Sequence, residues 1–340
     1  MLPDLTACLL LSQHLSHAQS LEALHALLQP QTPATEKTEF LKALRKKGES
    51  ASEIAAFARG LLAEAVPIPL QSFPGPLLDV CGTGGDRLDF FNISTTSMFV
   101  LAAGGVCVVK HGNRAITSQC GGADVLEELG VCIELSPANL ADCIGRHGLG
   151  FVFAPLYHPA FKTLAPLRKQ LAAEGCPTIF NLLGPLLNPA APPFQLVGIF
   201  SPTLLPVYRD ALALLGRTRA WALHGDGTDE LSTTGPSSVY ETTPAGSSHF
   251  TLDPATLGLP LAQAEHLKGG DRRRNAEILT RILNGTETGP RTDVVLLNAA
   301  AGFVITGVQP DLASGLEYAR EQIRSGRAAA KLEALRSFRP

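Results

Sequence analysis

A chain of 340 residues, 45% of them apolar, is long enough to bury a sizeable core and to divide into one large and one small domain. Its 28 lysines and arginines stand against 31 aspartates and glutamates, a formal net charge of −3, which gives no general attraction to nucleic acid or to a membrane surface. No run approaches the roughly 20 apolar residues of a membrane span, the 7 cysteines include no C-x-x-C pair, and no Lys or Arg precedes the short apolar run at residues 9–11, so a soluble cytoplasmic protein with reduced thiols and no signal peptide is expected.

Up to about Val66 the pattern is helical with no strand signal. Ser50 and Glu53 form a capping-box pair, Ile54, Phe57, Leu61 and Leu62 fall on one helical face, and Phe40, Leu41 and Leu44 do the same in the helix before. Arg45, Lys46 and Lys47 sit near a helix end, where cations complement the dipole. Pro67, Pro69, Pro74, Gly75 and Pro76 then break the chain, and strand and helix patterns alternate beyond them. Strands are expected at residues 77–81, 106–109, 150–153, 195–200 and 220–223, with a weaker edge strand at 238–241. Helices are expected at 159–171 and at 203–215, the latter stopped by Gly216, and in the C-terminal part at 271–283, 292–305 and 310–324. Residues 242–248 read as a soft, disordered loop. The fold class is therefore α/β: a small all-helical domain over residues 1–72, joined by helices from about 158–182, and a larger domain over 73–340 with a mostly parallel central sheet flanked by helices.

The stretch LLDVCGTGGDRLDFFNIST organises the rest. Leu77, Leu78, Val80 and Cys81 form a buried strand; Gly82, Gly84 and Gly85 let the backbone turn and approach a ligand; Asn92, Ser94 and Thr95 offer capping oxygens at the positive end of a helix. Strand, glycine loop and helix N-terminus make an anion site, while the sequence matches neither a Walker A loop nor a dinucleotide fingerprint. Asp86 and Asp89 beside such a loop call for a divalent cation between them and a phosphate. A glycine turn without a ligand is the alternative.

Three further clusters fall at strand ends, the edge where open α/β sheets bind ligands. Lys110, His111, Gly112, Asn113 and Arg114 supply cations and amide donors to a phosphate or a carboxylate. His224, Asp226, Asp229 and Glu230 lie on a glycine loop whose carboxylates suit magnesium carried by a polyphosphate, or else form a solvated acidic turn. The segments FAPLYHPA and TIFNLLGPLLNP, with Lys162 and Arg168 between them, read as an acceptor pocket in which His158 and Arg168 meet an aromatic acid. A histidine before a proline is more often structural.

Taken together, GTGGD with FNIST, KHGNR, ADVLEELG, FAPLYHPA, TIFNLLGPLLNP, DGTDELS, LKGG with NAEIL, and VLLNAAAGF resemble the anthranilate phosphoribosyltransferases of tryptophan biosynthesis, from about residue 38 to the end. The resemblance implies a cytoplasmic homodimer, paired through the helical domain, that joins the anthranilate amine to C1 of phosphoribosyl pyrophosphate. It also implies that Gly82, Thr83, Gly84, Gly85, Asp86, Asn92, Ser94, Thr95 and Lys110 hold phosphoribosyl pyrophosphate. Ser94, Asp229 and Glu230 would hold Mg2+, and His111, Asn113, His158, Arg168 and Gly184 would line the anthranilate route; no general acid or base is implied. The chain departs from the family where a serine-rich S-S-R-S-G-S-A-D run is usual: it has Thr117, Ser118, Gln119, Cys120, Gly121, Gly122, Ala123 and Asp124. It also carries an insertion of about three residues between Arg168 and Thr178. A pyrimidine nucleoside phosphorylase lacks support because its lysine-histidine-serine motif is absent, and a nucleic-acid-binding, non-catalytic relative lacks a basic surface excess.

Overall fold

A computed structural model of the chain describes residues 2–71, 73–86, 88–115 and 119–339. Four helices come first: Leu2–Leu10, His17–Leu28, Ala34–Lys47 and Ala51–Ala63. Ser50 caps the fourth in the expected box with Glu53, and Ile54, Phe57 and Leu61 are buried while Leu62 is half-buried. Glu53 does more than cap. Its fully buried carboxylate accepts hydrogen bonds from Leu15 N (2.9 Å), Ser50 N (2.8 Å) and the equally inaccessible Lys47 Nζ (2.7 Å). Burial pushes this carboxyl up, but the Lys47, Leu15 and Ser50 donors together outweigh it and hold it below its ordinary value. Lys47 is thus half of a buried ion pair that ties the third and fourth helices to the connection between the first two, a role beyond the dipole complement read from its place at a helix end. Glu53→Ala would strand the Lys47 ammonium and is expected to destabilise the protein by about 3–5 kcal/mol in urea unfolding; a loss below about 1 kcal/mol would mean that the pair is solvated.

The larger part is a seven-stranded sheet in the order β3-β2-β1-β4-β5-β6-β7. Its strands are β1 (Leu77–Gly82), β2 (Cys107–Gly112), β3 (Leu149–Phe153), β4 (Phe194–Gly198), β5 (Arg219–His224), β6 (Ser237–Thr243) and β7 (Gly246–Leu252). The first five run parallel, β6 pairs antiparallel with β5, and β7 pairs antiparallel with β6. Chain order runs outward from β1 to β2 and β3, then returns to β4 on its other side, so the glycine loop after β1 lies at the reversal point of the sheet. Residues 242–248, expected as a disordered loop, instead close a β6–β7 hairpin with Thr243 opposite Gly246. The strand was hidden because β7 is an exposed edge: of GSSHFTL only Leu252 is buried, so no apolar alternation marks it.

Side-chain alternation along the strands feeds two cores, one on each face. Leu78, Val80, Leu196, Trp221 and Leu223 pack with the helices Ile93–Ala103, Arg272–Leu283, Pro290–Ile305, Leu312–Arg324 and Arg327–Ser337. Cys81, Val197, Ile199, Ala220 and Ala222 pack on the opposite face with the helix Leu205–Leu214 and, in one continuous cluster, with the N-terminal helices and the helix Ala160–Ala173. The helix Ala160–Ala173 ends at Glu174, whose carboxylate reaches Lys42 at 2.6 Å. No helix among the described residues is long and apolar enough to cross a membrane.

Candidate active site

The glycine loop is open where a ligand needs it. Gly84 and Gly85 take φ of 71° and 93°, the left-handed region that side chains disfavour, and a Cβ on either would meet nothing within 4 Å. Thr83 is tied into the sheet, its N donating to Gly198 O (2.9 Å) and its Oγ1 accepting from Phe200 N (2.9 Å). The following helix begins at Ile93, so Ser94 and Thr95 lie in its first turn, where backbone N–H groups have no partner within the helix. Asn92 is the N-cap residue by position but makes no capping hydrogen bond: its Nδ2 donates to Cys120 O (3.1 Å) and its Oδ1 accepts from Asn275 Nδ2 (3.1 Å).

Three carboxylates gather beside this loop. Asp229 Oδ2 accepts from Gly84 N (2.6 Å), Glu230 Oε1 accepts from Ser94 N (3.1 Å), and Asp86 Oδ2 accepts from Thr228 Oγ1 (2.8 Å). Burial, then Asp86 and Glu230, push Asp229 well above the usual carboxylate range, and burial brings Glu230 up to about 7 against the pull of Lys110 and Ser94. Such mutual repulsion is what a hard cation relieves, and carboxylate and hydroxyl oxygens are the donors that magnesium takes. Among the described residues no three His, Cys, Asp or Glu side chains converge as a metal cage, and the Asp229, Glu230 and Ser94 oxygens fit a magnesium ion that arrives with oxygens of its own ligand. Asp226, read with the others from sequence, turns away and accepts from Thr234 Oγ1 (3.1 Å).

Between β1 and β2 the sheet opens. Ladder pairing covers only Leu77 with Cys107 and Leu78 with Val108. Beyond it, side chains take up the freed backbone groups: Asp79 Oδ1 accepts from His111 N (3.1 Å), and Asn188 Nδ2 donates to Asp79 Oδ2 (3.0 Å) and Val109 O (2.7 Å). On the other face Lys110 Nζ donates to Val80 O (2.5 Å) and Ser94 Oγ (3.0 Å). This wedge holds the crevice apart, and sequence reading missed it because Asp79 sits inside what looks like an apolar strand.

Lys110 and His111 are consecutive, so they face opposite sides of β2. Lys110 joins the phosphate half. His111 faces the acceptor half, where its Nδ1 meets Gly184 O (3.0 Å) and its Nε2 meets His158 Nε2 (3.2 Å). His158 packs edge-on against Phe161, with ring centroids 6.0 Å apart, and the Arg168 guanidinium lies over Phe161 at 5.1 Å and Phe180 at 5.9 Å. Arg168 has no ion pair and no hydrogen bond among the described residues, so its fork of donors is free for an anion. Asn113 lies exposed at the rim, its Oδ1 accepting from Arg114 N (2.8 Å). Arg114 is not free for a ligand: it pairs with Glu127 (2.7 Å) and Glu134 (3.4 Å) and covers Phe153.

Burial lowers His111 to about 3 and His158 to about 4, so both rings are neutral at physiological pH. The Gly184 carbonyl can only accept, so His111 offers it Nδ1–H, and the two Nε2 atoms face each other at 3.2 Å in a contact whose donor depends on the His158 tautomer. The kcat/KM for the aromatic acceptor is therefore expected to show no histidine limb between about pH 5.5 and 8; a limb near 6.5 that vanishes in His158→Gln would contradict this. Because folding lowers both values from 6.5, the pair favours the native state above that pH, and its share of stability is lost as pH falls through about 4 and 3.

Of the segment Thr117 to Asp124, Thr117 and Ser118 lie outside the described residues. Of the others, Cys120 O accepts from Asn92 Nδ2 (3.1 Å), and a Cβ on Gly122 would stand 3.0 Å from Thr95 Oγ1. The family models bear on the whole arrangement. Residues 3–65 match the helical bundle domain of a glycosyl transferase family and residues 74–329 match its a/b domain. An anthranilate phosphoribosyltransferase of Moorella thermoacetica is 44% identical over 324 residues, 95% of this chain and 94% of the relative. The chain belongs to the anthranilate phosphoribosyltransferase family. Solved structures of the family agree. The anthranilate phosphoribosyltransferase of Thermus thermophilus has a TM-score of 0.91 at 41% identity, covering 98% of this chain and 99% of that one. The Saccharomyces cerevisiae enzyme in complex with PRPP and Mg has a TM-score of 0.87 at 29% identity, covering 98% and 96%.

Proposed function

We propose that the crevice transfers the 5-phosphoribosyl group of phosphoribosyl pyrophosphate to the anthranilate amine, and that its two halves divide at Lys110 and His111. The observation that carries this reading is the unbroken contact path from Gly84 through Asp229, Glu230, Ser94 and Lys110 to His111, His158, Phe161 and Arg168. In it, Gly82, Thr83, Gly84, Gly85 and Asp86, with Asn92, Ser94, Thr95 and Lys110, hold the pyrophosphate side. Asp229 and Glu230, with Ser94, hold the magnesium ion, whose chemistry there is to neutralise the leaving group. The free Arg168 fork takes the anthranilate carboxylate, and its aromatic ring lies among His111, His158 and Gly184, with Asn113 at the entrance.

As the C1–O bond breaks, its electron pair leaves with pyrophosphate; the amine lone pair forms the C1–N bond, and the amine proton leaves with the departing pyrophosphate and reaches solvent when the site opens. The sugar becomes oxocarbenium-like, so the chain contributes by positioning and by stabilising the departing charge. Two neutral, buried histidines suit this: they orient without taking a proton. The boundary between domains is placed near residue 72, itself outside the described residues, with closure about residues 67–76 excluding water. A homodimer through the helical domain is supported by Leu10 and Leu11, 62% and 73% exposed at the end of the first helix, and a cytoplasmic setting by seven free cysteines. Purified protein with magnesium, phosphoribosyl pyrophosphate and anthranilate should quench anthranilate fluorescence in proportion to pyrophosphate formed; donor consumption without anthranilate loss would overturn the reading.

A further inference from the structure

Asn298, from the VLLNAAAGF segment, is 1% exposed on the helix Pro290–Ile305 and plays no part in the chemistry above. Its Oδ1 accepts from Leu231 N (3.2 Å), and its Nδ2 donates to Leu231 O (2.9 Å) and to Val294 O (2.9 Å). One amide thereby pairs both backbone groups of Leu231 as a neighbouring strand would, in a loop that follows β5 and has no ladder there. Leu231 is itself fully buried and directly follows Asp229 and Glu230. Asn298 also borders the same close-packed space as Ser94 and Glu230. The opposite side of the loop is fixed too, since Asp229 O rests against Gly198.

We infer that Asn298 is a positioning residue for the magnesium pair: it locks the Leu231 backbone so that Asp229 and Glu230 are already aimed before a metal binds. The inference rests on the reading of those two carboxylates as the magnesium carriers. A buried amide is costly unless its donors and acceptor are met; here one donor goes to Val294 O on the same helix, and the other donor and the acceptor are spent on holding this loop. Groups behind a ligand commonly set metal affinity by 10–100-fold without touching the metal.

The test compares wild-type protein with Asn298→Ala and Asn298→Ser by calorimetric titration of phosphoribosyl pyrophosphate at graded magnesium, alongside steady-state kinetics. Both variants should need roughly 10–100-fold more magnesium for donor binding, with the KM for anthranilate at saturating donor and magnesium unchanged. Variants that melt lower yet bind donor with wild-type magnesium dependence would reduce Asn298 to a structural role and overturn the inference. Hydrogen exchange on the metal-free wild-type protein is a second measurement that does not depend on how the variants fold: the Leu231 amide should be protected before magnesium is added, and free exchange there would also overturn the inference. Wild-type protein that binds donor equally without magnesium would instead overturn the reading of Asp229 and Glu230, and this inference with it.

Discussion

Gly198→Ala is expected to abolish most turnover while leaving a folded protein. A Cβ built on Gly198 would lie 1.4 Å from Asp229 O and 2.2 Å from its carbonyl carbon, and both are backbone atoms that no rotamer change can move. The strand end or the carboxylate loop must therefore shift. The loop is the softer of the two, because Gly198 is held in register by β1 and β5 on either side, opposite Gly82 and Leu223. Overpacking of this kind costs about 1–3 kcal/mol of stability, but a displacement of the order of 1 Å at Asp229 and Glu230 costs about 100-fold in rate. Circular dichroism and a melt should show a native fold with a modestly lower Tm, and kcat/KM for the donor should fall by about that factor. A variant with wild-type kinetics would mean that Asp229 does not need its observed place.

Arg168→Ala is expected to damage acceptor use selectively. The guanidinium stacks on Phe161 and Phe180 and has no carboxylate partner among the described residues, so its half-buried charge is uncompensated until an anion arrives; partial desolvation accordingly holds it below its ordinary value. Charge-assisted hydrogen bonds are worth about 1.5–3 kcal/mol, so removing them should raise the KM for anthranilate roughly 10–100-fold. The KM for phosphoribosyl pyrophosphate should stay where it was, since Arg168 contacts nothing on the Lys110 side. Arg168→Lys should recover little, because an ammonium lacks the planar fork. Equal damage to both substrates would place Arg168 in the hinge or the core instead.

Much of this was legible in the chain because parallel strands buried on both faces read as short apolar runs ending in glycine or charge. The strand, glycine loop and helix of residues 77–103 and the capped helix at Ser50 are local, and each carries its own signal. What escaped is non-local or exposed. β7 has no buried alternation, and the terminal helix Arg327–Ser337 buries little beyond Ala328, Leu332 and Leu335. Asp79 and Asn188 lie 109 residues apart and meet only because β1 and β2 diverge. Arg114 looked like a ligand donor until Glu127 and Glu134 were seen to hold it, and Asp226 looked like its neighbours Asp229 and Glu230 until the loop turned it toward Thr234. Sequence proximity names the residue types at an edge; it does not say which of them the fold has already paired.

The claim that a single seam at Lys110 and His111 divides the two substrates is tested most directly by a crystal structure with magnesium, phosphoribosyl pyrophosphate and a non-reactive anthranilate analogue. The pyrophosphate should lie on the glycine loop with magnesium against Asp229 and Glu230. The analogue's carboxylate should sit at Arg168, with its ring beside His111 and His158. An analogue whose carboxylate instead lies on the Lys110 face, with Arg168 left stacked on Phe161 and untouched, would contradict the account.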